Sequence, residues 1–210
     1  MKLLLGISRI IDSINERIGK LVYWCVLIAV IVSAVNATVR YTLHTSSNLW
    51  LELQWYLFAA VFLLCSGYTF LRNEHIRIDI IFGRYSKRMQ TWVDILGTLF
   101  FLLPMALIIM YLSWPVFLKS LVHPAAYDAS DGFTLLFKGL ANPADWERST
   151  DSGGLVRWPV KALIPLGFFL LSLQGISEII KRLAFLMGLI PDPSGKRAHG
   201  AEPDATGGAA

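Results

Sequence analysis

Residues 50–82, WLELQWYLFAAVFLLCSGYTFLRNEHIRIDIIF, make a run long enough to cross a bilayer. It carries a glutamate at one end and closes on an Arg/His/Arg/Asp cluster at the other. Three more apolar runs flank it: Leu21–Val39 before it, then about Trp92–Phe117 and Val160–Ile180. Each reaches the ~20 apolar residues that ~30 Å of hydrocarbon requires. No acidic or basic side chain falls near the middle of any of the four. A chain that itself moves a charged solute usually keeps ionisable groups deep in the bilayer. Here they stand at the rims, which points to a membrane-embedded partner of something larger.

The remaining composition agrees. Of 210 residues, 55% are hydrophobic and 16% charged, far more apolar than a soluble domain needs. Seven Trp and seven Tyr suit anchoring at bilayer interfaces. The net charge of +4 is spread over several loops, where a nucleic-acid reader would gather it on one face, so no nucleic-acid partner is expected. Cys25 and Cys65 lie within apolar runs and read as buried thiols.

Residues 1–20 place Leu3, Ile7, Ile10, Ile11, Ile14 and Ile18 on one helical face and Lys2, Arg9, Asp12, Glu16 and Arg17 on the other. That pattern predicts an amphipathic helix lying in the interface plane, with an extension of the first span as the alternative. The first span is expected to be an uncleaved anchor and not a signal core, because it is long and is preceded by this periodic segment. The fold class is therefore an all-α integral membrane protein, with four transmembrane helices preceded by an amphipathic interfacial helix. Its parts are 1–20, a membrane domain over 21–190 with one sizeable loop at 118–158, and a disordered tail over 191–210 rich in Pro, Gly, Ala and charge. Pro104 should kink the third span, and Pro115 should end it early or accompany a tilt. The 118–158 loop is too short for its own core and should lie on the bilayer or on a partner.

Thirteen basic residues fall in the N-terminal segment, the 72–91 loop and the C-terminal tail, against five in the two other loops. This places both termini in the cytoplasm and 118–158 outside.

Several polar positions stand out as structural or subunit-interface candidates. On the first span Ala29, Ser33, Asn36 and Arg40 share a face, and on the second Glu52, Tyr56, Ala60 and Gly67 do. On the fourth, Gly167, Leu171, Gln174 and Glu178 recur at i, i+4, i+7, i+11. Such stripes let helices approach closely, either within the chain or towards a partner subunit. Glu52 and Arg40, at the ends of consecutive spans, are candidates for an ion pair, and Asp94 and Glu178 are expected to pair with Arg72, Lys181 or Arg182 at their rim. The four histidines all lie outside the spans, so a bis-histidine haem lacks its ligands. No HExxH, CxxC, GxSxG or Walker A motif occurs, and the chain is not expected to be an enzyme or to hold a metal or cofactor.

Glu52 followed by Tyr56-Leu57-Phe58, then Gly67, then Arg72-x-x-His75-Ile76-Arg77-Ile78-Asp79, resembles the small membrane subunit of tripartite ATP-independent periplasmic (TRAP) transporters, the DctQ-like family. The stretch from Arg157-Trp158-Pro159 through Gln174-Gly175 to Glu178 is similar to its mannitol/chloroaromatic branch. The resemblance implies a bacterial inner-membrane protein working with a large permease subunit, a periplasmic solute-binding protein and membrane lipid. Sodium coupling and the solute path, commonly for an organic acid, would then lie in the large subunit. The alternative is a haem-free structural anchor of another multi-subunit membrane complex.

Overall fold

The computed structural model describes residues 2–45, 47–72, 85–122, 127, 132–150 and 154–191, and in it four helical stretches are long and apolar enough to cross a membrane. Helix α1 (Lys2–Leu43) gives way to α2 (Asn48–Arg72) beyond His44, whose φ of 49° is the left-handed conformation that stops a helix. Helix α3 (Lys87–Gly97) starts at Ser86, whose hydroxyl accepts a hydrogen bond from the Met89 N–H at 3.4 Å. It passes through a π-helical turn at Thr98–Leu102 into α4 (Leu103–Leu121). Helix α5 (Gly132–Ala141) and a 3-10 turn (Pro143–Asp145) precede α6 (Trp158–Leu186). Beyond α6, Gly188 at φ 72° donates to the Phe185 carbonyl (2.9 Å) and Leu189 to that of Ala184 (3.0 Å), a Schellman motif.

Three expectations change here. Residues 2–20 are not a separate interfacial helix: they continue into the first span as one 42-residue helix, about 63 Å long at 1.5 Å per residue. The extension also docks by neither of the two faces named above: Arg9 and Arg17 are exposed. Ser8, Ile11 and Asn15 are buried, while Leu3 and Ile10 stand 76% and 62% exposed. The reason is that α6 offers this segment hydrogen-bonding partners, so the strip holding Ser8, Ile11, Asp12 and Asn15, between the two faces, is the one that docks. Pro104 is accompanied by a distortion whose form the sequence does not announce. It follows the π turn, in which the Leu103 N–H bonds to the Thr98 carbonyl five residues back. The wider turn absorbs the hydrogen bond and ring clash that proline imposes on the preceding turn. Pro115 does not end the helix, which runs on to Leu121.

The bundle is organised around α6, which packs against α1, α2, α3 and α4. Its small residues explain why. A methyl group added at Gly167 would come within 2.8 Å of the Leu63 carbonyl oxygen on α2, and one at Gly175 within 3.1 Å of Leu102 in the π turn. Without a hydrophobic force between helices in lipid, such close approach and interhelical hydrogen bonding hold the bundle. Gly167→Ala should therefore destabilise by ~1–3 kcal/mol through overpacking against backbone that cannot yield. Gly6→Ala, where nothing lies within 4 Å, should be neutral or slightly stabilising. Thermal unfolding of the two variants in detergent checks the contrast.

The described residues of the 118–158 segment rest on this chain's own helix ends. Leu135 of α5 joins Phe117, Leu118, Leu121 and Val122 in a buried cluster, flanked by Trp146, Trp158 and Ala162. The short apolar run Phe133–Phe137 makes up the first half of α5, and Gly139 lets that helix press onto Leu121, where a methyl group would stand 2.8 Å from its Cβ.

Candidate functional site

Two polar clasps close the bundle, one at each end. At the end where α1 begins and α6 finishes, Ser8, Asp12, Asn15 and Gly19 recur at the same i, i+4, i+7, i+11 spacing as Gly167, Leu171, Gln174 and Glu178. The two stripes meet. Asn15 donates through Nδ2 to Gln174 Oε1 (2.9 Å), and Gln174 donates through Nε2 to Asp12 Oδ1 (2.9 Å). The Ser177 hydroxyl donates to the same Asp12 oxygen (2.8 Å), and the hydroxyls of Ser8 and Ser177 lie 2.7 Å apart.

Lys181 bridges this stripe to the acids. Its Nζ lies 3.0 Å from Asp12 Oδ2 and 3.1 Å from Oδ1, and it also bonds Glu178. Arg182 pairs with Asp94 on α3, and its Nε stands 4.0 Å from Glu178 Oε2. Gln174 and Glu178 are 0% and 1% exposed. Three carboxylates and two cations are thus interleaved across three helices, each acid facing a base, as desolvated charges require. The expected rim pairing of Asp94 and Glu178 with Arg182 and Lys181 is present. Arg72 is engaged elsewhere: its Nη2 donates to Glu16 Oε1 at 3.1 Å, and its guanidinium lies over the Tyr68 ring at 5.4 Å. Gln174 thus faces α1 of the same chain, Gly167 faces α2 and Glu178 is buried beside Lys181, so that stripe is an internal seam. Gly67 belongs to the same seam, where its missing side chain leaves room for the Asn15 amide and the Leu170 backbone.

At the opposite end Glu52 is 4% exposed, and its partners are not the expected ones. Arg40 is exposed and does not reach it. One Glu52 oxygen accepts from the Ser149 hydroxyl and the other from the Leu155 N–H at 2.6 Å. One turn on, the Tyr56 hydroxyl donates to the Val156 carbonyl (3.3 Å). Ser149 and Leu155 are themselves joined backbone to backbone (3.0 Å), beside an antiparallel bridge between Arg148 and Val156. The segment is stitched down further by Glu147, which donates its N–H to Ser120 (3.0 Å) and pairs through its carboxylate with Lys161. Trp146 donates to the Gly139 carbonyl (2.8 Å) and stacks edge-on to Trp158. The Glu52 and Tyr56 positions thus pin the paired stretches 147–149 and 155–157 onto the head of α2.

On α1, Ala29 is buried and Ser33 accepts from Gln54 of α2 at 3.1 Å, so that stripe too is partly internal. His75, Arg77 and Asp79, and the tail beyond Pro191, lie outside the described residues. Ser8, Asp12, Asn15 and Ser149 were missed as site residues. The first three carried a legible signal in their shared spacing with the α6 stripe, while Ser149 carried none.

Comparison with known proteins gives one match. The family model for the DctQ component of tripartite ATP-independent periplasmic transporters covers residues 28–185. No curated protein matches the chain. No solved structure matches it either.

Proposed function

The chain belongs to the DctQ family of TRAP transporter components, which makes it a small membrane subunit of such a transporter, and on that premise we propose that it serves as the fixed scaffold of the assembly. In this reading it is of the mannitol/chloroaromatic type and packs on the immobile part of a large permease subunit in the bacterial inner membrane. That subunit takes an organic acid from a periplasmic binding protein and moves it with sodium. The observation that carries the scaffold role is the placement of charge. Asp12, Asp94, Glu178, Lys181 and Arg182 bind one another across α1, α3 and α6, and the interiors of the spans between the clasps hold no acid or base. A subunit built this way rigidifies and positions, and the ionisable groups of a transport path belong on its partner.

The purified chain in liposomes, given organic acids and a sodium gradient, should show no flux above empty vesicles. Adding the large permease subunit and the binding protein should restore it. Uptake by the chain alone would overturn the scaffold reading.

The reading also sets an orientation, with both termini cytoplasmic and 118–158 periplasmic, supported by the asymmetry of basic residues. With Cys25 and Cys65 replaced by serine, a cysteine at Asp145 should react with an impermeant thiol reagent in intact cells. One at Ser194 should react only after permeabilisation.

A further inference from the structure

Helix α5 has three distinct faces. Leu135 and Gly139 point into the cluster over Leu121 and Val122. Thr134 and Lys138 form an exposed polar face. Between them lies an apolar flank: Phe133 is 71% exposed, Phe137 60%, and Leu140 is exposed beside them. At ten residues, about 15 Å, the helix is far too short to cross a bilayer.

The apolar flank borders the half-buried Leu136, and Leu136 lines a 360 Å³ groove with Met110, Trp114, Leu166 and Phe169. Those four belong to α4 and α6, two of the helices long and apolar enough to cross a membrane. The α5 flank is therefore continuous with the apolar outer surface of α4 and α6, and its polar face is turned away from it. The same end of the bundle carries Trp50, Trp55, Trp114, Trp146 and Trp158, the residues that gather at headgroup level.

We propose that α5 is a membrane-surface helix: it lies with Phe133, Phe137 and Leu140 sunk into the leaflet at the Glu52 end of the bundle. A lipid acyl chain fills the groove of Met110, Trp114, Leu136, Leu166 and Phe169, and Lys138 faces the phosphate layer. Lipid is the occupant because the apolar arc aligns with the spans' own lipid surface. A protein seated on the end of the bundle would meet the polar arc instead. The helix thereby fixes the depth and tilt of α4, to whose end it is pinned at Leu121. This inference rests on the membrane location of the chain and not on its transport role, so either can fail without the other.

The test uses the full chain, with Cys25 and Cys65 replaced by serine, in vesicles of phosphatidylcholine and phosphatidylglycerol. Nitroxide labels go at Phe137→Cys and Lys138→Cys, neighbours that point about 100° apart on a helix. The ratio of collision rates with oxygen to those with a water-soluble nickel chelate should be several-fold higher at 137 than at 138. Leu140→Cys, which leaves both phenylalanines in place, should repeat the result at 137. Equal nickel access at all three positions would mean that α5 stands off the membrane. Shielding from both reagents with spin–spin broadening would mean that a second copy covers the flank. Either result overturns the proposal.

Discussion

Replacing Lys181 by methionine should be the most damaging single change to the bundle. The side chain is 8% exposed and lies between two carboxylates, with Asp12 on α1 at 3.0 Å and Glu178 bonded on its own helix. Methionine keeps the length and the apolar stem and removes only the charge. Two acids then face each other across a desolvated gap, and Asp12 loses the ammonium while it keeps the neutral donors Gln174 and Ser177. Breaking a buried pair from one side costs about 3–5 kcal/mol, because the remaining charge stays buried without compensation. The reverse change, Asp12→Asn, should be milder, since Lys181 retains Glu178. Combining the two should recover part of the loss. The expected order of melting temperature in detergent is wild type, then Asp12→Asn, then the double variant, then Lys181→Met. A Lys181→Met protein as stable as wild type would show that this clasp is solvated. A double variant with additive losses would show that Lys181 and Asp12 act independently.

The same clasp shows how far the sequence carried. The four spans were legible because a membrane helix is declared by length and apolarity, a local property. The seam on α6 was legible as a spacing, Gly167 through Glu178. What faced it was not, and the alternatives of partner subunit and own chain stayed open. The answer lay in Ser8, Asp12 and Asn15, whose i, i+4, i+7 spacing repeats the first three positions of that seam. Residues 1–20 also carry an apolar periodicity that suggests an interfacial helix, and in a soluble protein the apolar side would be the buried one. Here the hydrogen-bonding groups of α1 and α6 seek one another, and Leu3 and Ile10 are left exposed. The π turn before Pro104 was not legible, because proline announces a disruption without saying how the helix absorbs it. Arg40 was a reasonable partner for Glu52 by proximity in the chain. The actual partners come about a hundred residues later, and one of them is a backbone N–H, which leaves no trace in side-chain pattern.

Glu52→Gln should loosen the loop at 147–157 and leave the rest of the bundle standing. The carboxylate accepts from the Ser149 hydroxyl with one oxygen and from the Leu155 N–H with the other, so both arms of the loop hang on one side chain. An amide keeps a single acceptor oxygen and puts an NH2 where the second acceptor was, so one of the two donors must lose its partner. Charge-assisted bonds of this kind are roughly twice as strong as neutral ones, and the substitution therefore weakens even the bond it preserves. Tyr56 holds Val156 through a separate bond, so the loop should stay close to α2 but exchange faster. Amide hydrogen exchange should rise several-fold across 147–157 in Glu52→Gln, with protection near Gln174 and Lys181 unchanged. Ser149→Ala should reproduce a smaller version of the effect, and adding Tyr56→Phe to Glu52→Gln should release the loop further. Arg40→Gln should do nothing, alone or in combination. If Arg40→Gln instead matched Glu52→Gln, the pairing would run along the chain as the sequence first suggested. If exchange rose throughout the bundle, Glu52 would be supporting the spans and not the loop that its hydrogen bonds hold.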